Sequence, residues 1–277
     1  MSYPPYSVLM SLYKKESPSH FDLALKSMLN QTIPPDEVVI VLDGPVPLAL
    51  ENTIDLHIRK NPHLFLVVRL EENQGLGEAL RQGVLACKNE IIARMDTDDY
   101  AYPNRMELQL GEFSRNPQLG MVGSQVEEFI DDPHNPICST SLPERHEDIL
   151  KFSKRRNPFR HPVITFRKSS VLDAGNYRGG FLYFEDWDLF NRMLDQGCLT
   201  KNLSNTLLSA RTSPDYYERR GGKDYLPHIC KFKLDQYRNG YFSASDLLLS
   251  LLPHIFVGLM PNKARAFVYA HFLRRKK

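Results

Sequence analysis

The sequence predicts an α/β fold in which a Rossmann-like, mostly parallel sheet is flanked by helices and followed by a helical C-terminal appendage. Two observations support this prediction. Over the first two-thirds of the chain, short apolar runs alternate with segments whose apolar residues recur at helical spacing. This alternation is typical of βαβ units, whose strands lie parallel to one another. Beyond about residue 213 the pattern changes to a polar loop and then to an apolar, basic tail.

Local patterns predict the first two strands and the helix between them. Residues 7–12 form an apolar run, and residues 38–42 (VVIVL) are β-branched or apolar throughout, as in strands buried on both faces. Between them, Ser17 followed by Pro18 predicts a helix start, because serine caps a helix and proline fits its first turn. The apolar face of this helix consists of Phe21, Leu25, Met28 and Leu29.

The same alternation continues to about residue 194. Strands are predicted at residues 64–70, 90–95 and 163–166, and helices at residues 75–86, 103–114 and 186–194. Residues 133–162 are rich in proline and carry no clear period. We therefore expect them to form a long irregular excursion that contributes to specificity.

Composition excludes several classes of protein. The 277 residues, 42% of them hydrophobic, are enough for a sizeable core, and a net charge of +2 gives no reason to expect a nucleic-acid partner. The N-terminus does not resemble a secretory signal, and no apolar run approaches the roughly 20 residues of a membrane-spanning helix. The four cysteines form no C-x-x-C pair, which favours a reducing, cytoplasmic location over a disulfide framework or zinc site. These cysteines are Cys87, Cys138, Cys198 and Cys230.

Three carboxylates follow the predicted strand at residues 90–95. They are Asp96, Asp98 and Asp99. In open α/β sheets, ligands bind outside the carboxyl ends of the strands. Such closely spaced anions repel one another unless a cation lies between them, and oxygen ligands suit Mg²⁺ or Mn²⁺. The segment therefore indicates a divalent-metal site that could neutralise a diphosphate, with a solvated acidic turn as the alternative.

The chain resembles the family 2 glycosyltransferases, which are inverting enzymes with the GT-A fold. The similarity is carried by an ordered set of motifs spread over residues 7–211. These are SVLMSLYKKE at 7–16, VVIVLDG at 38–44, ENQGLGEALRQG at 72–83, MDTDD at 95–99 and YFEDWDLFNRM at 183–193. One departure concerns the end of the first strand, where the family usually has proline and threonine and this chain has Ser11 and Leu12.

The resemblance implies a nucleotide-binding half at residues 1–115. By it, the nucleobase and ribose pocket is lined by Ser11, Tyr13 and Glu16. Asp43 would hydrogen-bond the base, which suits uracil, although Asp43 and Gly44 could also form only a turn. Gly75 would let the protein backbone approach the nucleotide, and Arg81 would lie near the diphosphate. Asp96 would contact the ribose and the metal, and Asp98 would be the principal metal ligand. The alternatives are that Arg81 is a surface charge and Gly75 a helix-start glycine.

The resemblance also implies an acceptor half at residues 116–212. Asp186 would be the catalytic base, and Glu185 would orient it or the acceptor. Acidic residues also cap helix N-termini, so a capping cluster is the alternative. Trp187, the only tryptophan, could stack on a sugar or pack in the core, and His161 could contact the acceptor or diphosphate or be structural.

Residues 213–277 form the third part of the predicted organisation. Arg219 and Arg220, beside two glycines, would form a lid over the donor diphosphate, with a solvated surface loop as the alternative. Residues 247–277 are apolar and contain six cations but no Asp or Glu, which favours an interfacial anchor on an anionic membrane surface. A C-terminal helical pair packed on the domain is the alternative.

Taken with the resemblance, these features predict an inverting hexosyltransferase. It would use a nucleotide-sugar donor, with UDP favoured, and a polyprenyl-diphosphate-linked glycan acceptor in bacterial surface polysaccharide synthesis, at the inner face of the cytoplasmic membrane. Two other classes remain as alternatives. A sugar-phosphate nucleotidyltransferase would share the sheet and metal carboxylates, and a non-catalytic carbohydrate-binding protein would need neither acidic motif.

Overall fold

The computed structural model describes residues 3–213 and 225–260, together with the backbone of residues 275 and 276. The loop predicted as a lid, including Arg219 and Arg220, lies outside the described residues, as do residues 261–274 of the tail. None of the helices in the described ranges is long and apolar enough to cross a membrane.

The described chain contains ten strands. They are β1 (Tyr6–Leu12), β2 (Glu37–Leu42), β3 (Phe65–Arg69), β4 (Ile91–Arg94), β5 (Tyr100–Ala101), β6 (Leu119–Phe129), β7 (Cys138–Ser139), β8 (Thr165–Arg167), β9 (Leu199–Arg211) and β10 (Arg275–Lys276).

Nine α-helices and one short 3₁₀ helix connect and flank the described strands. The α-helices are α1 (Pro18–Leu29), α2 (Leu48–Lys60), α3 (Leu76–Ala86), α4 (Arg105–Arg115), α5 (His146–Ser153), α6 (Lys168–Asp173), α7 (Glu185–Asp195), α8 (Leu226–Arg238) and α9 (Ala244–Leu259). The 3₁₀ helix is His161–Val163.

The sheet has a parallel half and a mixed half. Strands β3, β2, β1 and β4 lie side by side in that order, and every pair among them is parallel. Beyond β4 the sheet continues with β8, which is antiparallel to both β4 and β6, while β9 runs parallel to β6. The parallel half matches the predicted βαβ alternation. It also brings the carboxyl ends of β1, β2 and β4 to one edge, where ligands bind in such sheets.

Burial on both faces explains why β1 and β2 are mostly apolar. Phe21 and Met28 of α1 pack in the core on one face of the sheet, and Leu80 and Val84 of α3 pack in the core on the other. Helix α1 begins at Pro18 with Ser17 as its N-cap residue, as the sequence predicts.

The long strands β6 and β9 carry no clear signal in the sequence. Strand β6 contains Gly120 and Gly123, which weaken a strand pattern. Both glycines are required by packing, because a Cβ at Gly123 would collide with the side chain of Asn202 on β9 and one at Gly120 with Cys198. Glycine is therefore required at both positions because segments distant in sequence approach the β6 backbone closely.

Residues 133–162 are more regular than we expected. They contain β7, which pairs with β6, and helix α5, whose Ile149 is fully buried. The proline-rich composition obscured α5, a two-turn helix that lies between Pro143 and Pro158 and contains no proline itself.

The described C-terminal part is a pair of helices, α8 and α9. Helix α8 packs against the first turn of α7, where Ile229 and Phe232 of α8 form a small apolar cluster with Trp187. Helix α9 begins with a capping box, in which Ser243 and Asp246 hydrogen-bond each other's backbone N–H. Helix α9 also contacts α8, so the described part of the segment 247–277 is helical, whereas the choice between a membrane anchor and a packed helical pair stays a prediction.

Candidate active site

The acidic segment after β4 lies at the carboxyl edge of the parallel half of the sheet. Strand β4 is anchored in the core by the buried residues Ile91 and Ile92, and the acidic segment follows at its carboxyl end. Carboxylate oxygens of Asp96, Asp98 and Asp99 all lie within 4.8 Å of one another. Three acidic ligands at this separation match the oxygen donor set that Mg²⁺ or Mn²⁺ takes in proteins.

The electrostatics of this segment fit a site for a cation. Burial, together with the charges of Asp96 and Glu16, raises the pKa of Asp98 to about 7. Burial and the neighbouring carboxylates also raise the pKa of Asp99 well above its usual range. In the described part of the chain, no other residue donates a hydrogen bond to the Asp98 carboxylate. A divalent cation would relieve this repulsion, and Asp98 is the carboxylate with most freedom to bind it.

Two arginines that sequence reasoning missed hold this segment in place. Arg94 of β4 is fully buried and forms an ion pair with Asp96, while its Nε and Nη1 have no hydrogen-bond partner among the described residues. Arg211, at the end of β9, donates its backbone N–H to Oδ1 of Asp99 over 2.7 Å and its Nε–H to the Asp98 carbonyl over 3.1 Å. The available signal for Arg94 was a charged residue inside an otherwise apolar strand.

Asp43, at the end of β2, organises the loop that precedes α3. Its Oδ1 accepts the N–H of Gln74 over 2.7 Å, and its Oδ2 accepts the N–H of Gly75 and the side-chain amide of Asn73 over 3.1 and 2.8 Å. The Asp43 side chain is therefore a structural acceptor for this loop. The base contact that the resemblance implies stays a prediction, since a carboxylate has about four acceptor sites.

Two glycines shape the same loop. Gly75 has φ +89°, and a Cβ there would meet nothing within 4 Å, so the backbone is open to an approaching ligand. Gly44 has φ +82°, and a Cβ there would lie 2.7 Å from the backbone nitrogen of Asn73. The turn at Gly44 thus requires glycine because the 72–75 loop passes directly over it.

The other predicted nucleotide-binding residues lie around the same edge. Glu16 accepts a hydrogen bond from Thr97 Oγ1 over 2.8 Å, which links the end of β1 to the acidic segment. Ser11 is half-buried and Tyr13 is exposed. Arg81 forms a bidentate ion pair with Glu78, with distances of 2.8 and 2.7 Å, so its role near the diphosphate stays a prediction.

The Glu185-Asp186 pair opens α7 after a residue in an unusual conformation. Phe184 has φ +73°, which a non-glycine residue adopts at a cost of about 1–2 kcal/mol. Asp186 accepts hydrogen bonds at both oxygens, from the Trp187 N–H to Oδ1 over 2.7 Å and from the Asn157 amide to Oδ2 over 2.8 Å. Strained backbone of this kind is concentrated at functional sites. Through the bond from the Trp187 N–H, Asp186 also satisfies one of the free backbone N–H groups in the first turn of α7.

Glu185 titrates in an unusual range. Burial, and then the charge of Asp186, raise the pKa of Glu185 to about 7, while Arg94 opposes the shift and Asp96 adds to it. The contributions of Arg94 and Asp96 indicate that the acidic segment lies near the Glu185-Asp186 pair. Gly77 of α3 lets that helix approach the start of α7, because a Cβ there would meet the Arg178 carbonyl and lie 3.3 Å from Glu185 Cβ.

Trp187 and His161 lie in the core behind the site. The Trp187 side chain donates to the Ser153 carbonyl over 3.3 Å and packs on Phe232, with ring centroids 4.9 Å apart and only 4% of the residue exposed. A hydrogen bond of 2.8 Å joins Nε2 of His161 and the Tyr177 hydroxyl. Burial and the Arg94 charge hold the pKa of His161 well below its usual range, so it packs as a neutral ring. For both residues the placement favours the structural alternative over direct contact with a sugar or diphosphate.

Comparison with known proteins gives a coherent result. A family model described as glycosyl transferase family 2 matches residues 7–175. The UDP-Gal:alpha-D-GlcNAc-diphosphoundecaprenol beta-1,3-galactosyltransferase of Escherichia coli is 36% identical over 275 residues, covering 98% of both chains. The amylovoran biosynthesis glycosyltransferase AmsE of Erwinia amylovora is 35% identical over 267 residues, covering 95% of this chain and 97% of that protein.

Solved structures with the same fold include two nucleotide-sugar complexes. The complex of S. aureus TarS 1-349 with UDP-GlcNAc has a TM-score of 0.66 at 16% identity, and covers 91% of this chain and 72% of that chain. The mannosyltransferase PcManGT from Pyrobaculum calidifontis, in complex with GDP-Man and Mn²⁺, has a TM-score of 0.66 at 15% identity, covering 98% and 76%. At these identities the similarity concerns the fold.

Proposed function

The chain belongs to glycosyl transferase family 2 and is a glycosyltransferase with the GT-A fold, and on that premise we propose its reaction and substrates. It transfers a hexose, with inversion, from a nucleoside diphosphate sugar to a hydroxyl group of a lipid-linked glycan. The process served is bacterial surface polysaccharide synthesis, such as that of a capsule, O-antigen or exopolysaccharide. The names of the relatives from Escherichia coli and Erwinia amylovora support this assignment.

One observation carries the proposal. Two groups of carboxylates, from segments 90 residues apart in the chain, lie close enough for the charge of Asp96 to contribute to the raised pKa of Glu185. Glycosyl transfer needs a cation site for the diphosphate, here the Asp96 and Asp98 carboxylates, beside an oriented base, here Asp186. A binding protein would gain nothing from burying mutually repelling carboxylates.

The Asp186 carboxylate acts as the base in this mechanism. The acceptor hydroxyl oxygen forms a bond to the anomeric carbon, its proton passes to Asp186, and the bond from the anomeric carbon to the diphosphate breaks. The oxygen attacks from the face opposite the leaving group, so one base suffices and the configuration inverts. The hydrogen bonds from Trp187 and Asn157 fix Asp186 for this step, and such positioning supplies much of the catalysis.

Asp98 and Asp96 would hold a divalent cation, Mn²⁺ or Mg²⁺. When bound, it would act as a Lewis acid that stabilises charge on the departing diphosphate. The chain itself would bind the nucleotide along the edge of the sheet, with Gly75 exposing its backbone and the 73–75 loop held by Asp43. Arg81 would contribute positive charge near the diphosphate after exchanging its contact with Glu78.

Uridine diphosphate is the donor nucleotide that we propose. The relative from Escherichia coli is named for UDP-Gal, and TarS is described in complex with UDP-GlcNAc. The same relative is named for an acceptor in which GlcNAc is joined to diphosphoundecaprenol. We assign a polyprenyl-diphosphate-linked glycan as acceptor by analogy with that name.

An anionic membrane surface is the proposed location of the reaction. Helix α9 exposes large apolar residues, with Leu252 at 59% and Phe256 at 68% exposure, and residues 247–277 contain six cations and no acidic residue. An apolar helix face beside basic residues suits the interface of an anionic leaflet, here the inner face of the cytoplasmic membrane. Residues 213–277 would thus serve docking, residues 1–115 the donor and residues 116–212 the acceptor. Arg219 and Arg220 would close over the donor diphosphate.

Calorimetric titration with UDP, GDP and TDP, each with and without Mn²⁺, tests donor binding. We expect tight, metal-dependent binding of UDP that Asp98→Ala abolishes and that the exposed control Asp131→Ala retains. Metal-dependent UDP binding by Asp98→Ala would remove Asp98 as the principal ligand. If the folded chain bound no nucleotide under any condition, the catalytic proposal would fail.

Transfer from UDP-galactose to a synthetic GlcNAc-diphosphate lipid tests the reaction, with mass spectrometry of the product and NMR of the new anomeric centre. Asp186→Asn should bind UDP normally but lose at least about 10²-fold in rate, whereas Asp195→Asn, at the exposed end of the same helix, should remain active. Diphosphate release would instead identify a nucleotidyltransferase. Glycan binding without any product would identify a carbohydrate-binding protein.

A further inference from the structure

Lys233 of α8 is a fully buried lysine without an acidic partner among the described residues. Its exposure is 0%, and its Nζ lies 4.0 Å from the centroid of the Trp187 ring and 5.2 Å from that of Phe242. The ammonium donates one hydrogen bond, to the carbonyl oxygen of Arg155 over 3.3 Å. The Lys233 side chain is thus held by aromatic faces and one backbone oxygen.

Burying this charge works against the stability of the fold. Burial, and then the charge of Arg155, lower the pKa of Lys233 to about 7. His254 of α9 faces the same group, and burial together with Lys233 lowers the pKa of His254 to about 4. Methionine has a similar length and carries no charge to desolvate. Packing alone therefore gives no reason for a lysine here, which indicates a functional reason.

Two of the three contacts of the ammonium, those with the Trp187 ring and the Arg155 carbonyl, lie close in sequence to the groups that hold Asp186. Trp187 follows Asp186, and its backbone N–H donates to Asp186 Oδ1 over 2.7 Å. Arg155 lies two residues before Asn157, whose amide donates to Asp186 Oδ2 over 2.8 Å. Lys233 therefore links Trp187 with the backbone that leads to Asn157, and these two residues donate the hydrogen bonds to the Asp186 carboxylate.

We propose that Lys233 is a positioning residue for the base, in which its ammonium fixes Trp187 and the Arg155–Asn157 backbone relative to each other. Held in this way, both oxygens of Asp186 keep one orientation toward the acceptor hydroxyl. The inference rests on the proposed function, in which Asp186 is the base. It makes α8, which follows the α/β part of the chain, a component of the catalytic apparatus.

Lys233→Met in the full chain tests this role, with Lys231→Met as a matched control on the exposed side of the same helix. We expect Lys233→Met to keep or raise the melting temperature, to bind UDP with Mn²⁺ as the parent does, and to leave the donor KM within about twofold. Its kcat should fall about 10- to 100-fold, because a displaced base is felt only in the chemical step. Lys231→Met should match the parent in every measurement.

A double-mutant cycle with Asn157→Ala separates positioning from a general effect on packing. If Lys233 acts through the Arg155–Asn157 segment, the two substitutions together should lower kcat by clearly less than the product of their separate effects. An unchanged kcat in Lys233→Met, fully multiplicative effects, or a lowered melting temperature whose loss of folded protein accounts for the lost activity would each overturn the inference. Failure of the proposed function itself is seen separately, as full activity in Asp186→Asn.

Discussion

Asn157 donates a hydrogen bond from its side-chain amide to Oδ2 of Asp186 over 2.8 Å, across 29 residues of sequence. The other oxygen of the same carboxylate accepts the Trp187 N–H. Asp186 is therefore oriented from two sides, by its own helix and by the segment after α5. A base held in this way needs little reorganisation when the acceptor arrives, which is a main source of catalytic rate.

Asn157→Ala should lower kcat about 10- to 100-fold with little change in donor affinity. The reason is that a hydrogen bond to a charged group contributes about 1.5–3 kcal/mol, and this one acts on the base alone. Steady-state kinetics with varied UDP-sugar would measure the effect, with the exposed Asn135→Ala as control. Loss of donor affinity at unchanged kcat would contradict this role for Asn157.

Glu185→Gln should stabilise the metal-free protein, increasingly so as the pH rises. The pKa of Glu185 is raised from 4.5 to about 7 in the folded chain, so below pH 4.5 the side chain is protonated in both folded and unfolded states and the substitution changes little. Above about pH 7 the folded state bears the full penalty of the buried charge, on the order of 3 kcal/mol.

Thermal unfolding between pH 5 and 8, with EDTA present, would measure this gain. Stabilisation by Glu185→Gln should grow across the range and level off above about pH 7. The exposed control Glu147→Gln should show no such trend. A gain of equal size at every pH would show that the Glu185 charge is not the cause.

Gly44→Ala should weaken UDP binding by about tenfold, which corresponds to about 1.4 kcal/mol. The added methyl group would lie 2.7 Å from the Asn73 nitrogen and displace the loop that Asp43 holds beside the donor site. Gly240→Ala is a matched control, because Gly240 has φ +81° and a Cβ there meets nothing within 4 Å. Both variants carry the left-handed backbone penalty, so equal UDP affinities would exclude a donor role for the loop.

Leu252→Glu combined with Phe256→Glu should release the protein from anionic vesicles. Both side chains lie on the exposed face of α9, and two carboxylates there would oppose both apolar insertion and attraction to anionic lipid. Co-sedimentation with vesicles containing phosphatidylglycerol would measure binding. The control pair Leu48→Glu and Leu56→Glu changes exposed leucines on α2, and equal binding by the two double variants would rule out α9 as the docking surface.

Local sequence patterns were enough to predict the parallel half of the sheet and the acidic edge. Apolar runs predicted β1 and β2, Ser17 and Pro18 predicted the start of α1, and the spacing of Asp96, Asp98 and Asp99 predicted a cluster that the structure brings within 4.8 Å. These features depend on local periodicity and on neighbours in sequence, so they are visible without a fold. The family motifs carried the rest of the prediction.

Which polar residues are buried, and what they contact, became visible only in the folded chain. Nothing in the local pattern distinguishes Lys233 from its exposed neighbour Lys231, or assigns Asn157 to Asp186, because these relationships join segments distant in sequence. Trp187, which local chemistry left open between sugar stacking and core packing, is covered by α8. The physical reason is that burial depends on where other elements pack. For a charged side chain, burial adds a desolvation cost and shifts the pKa.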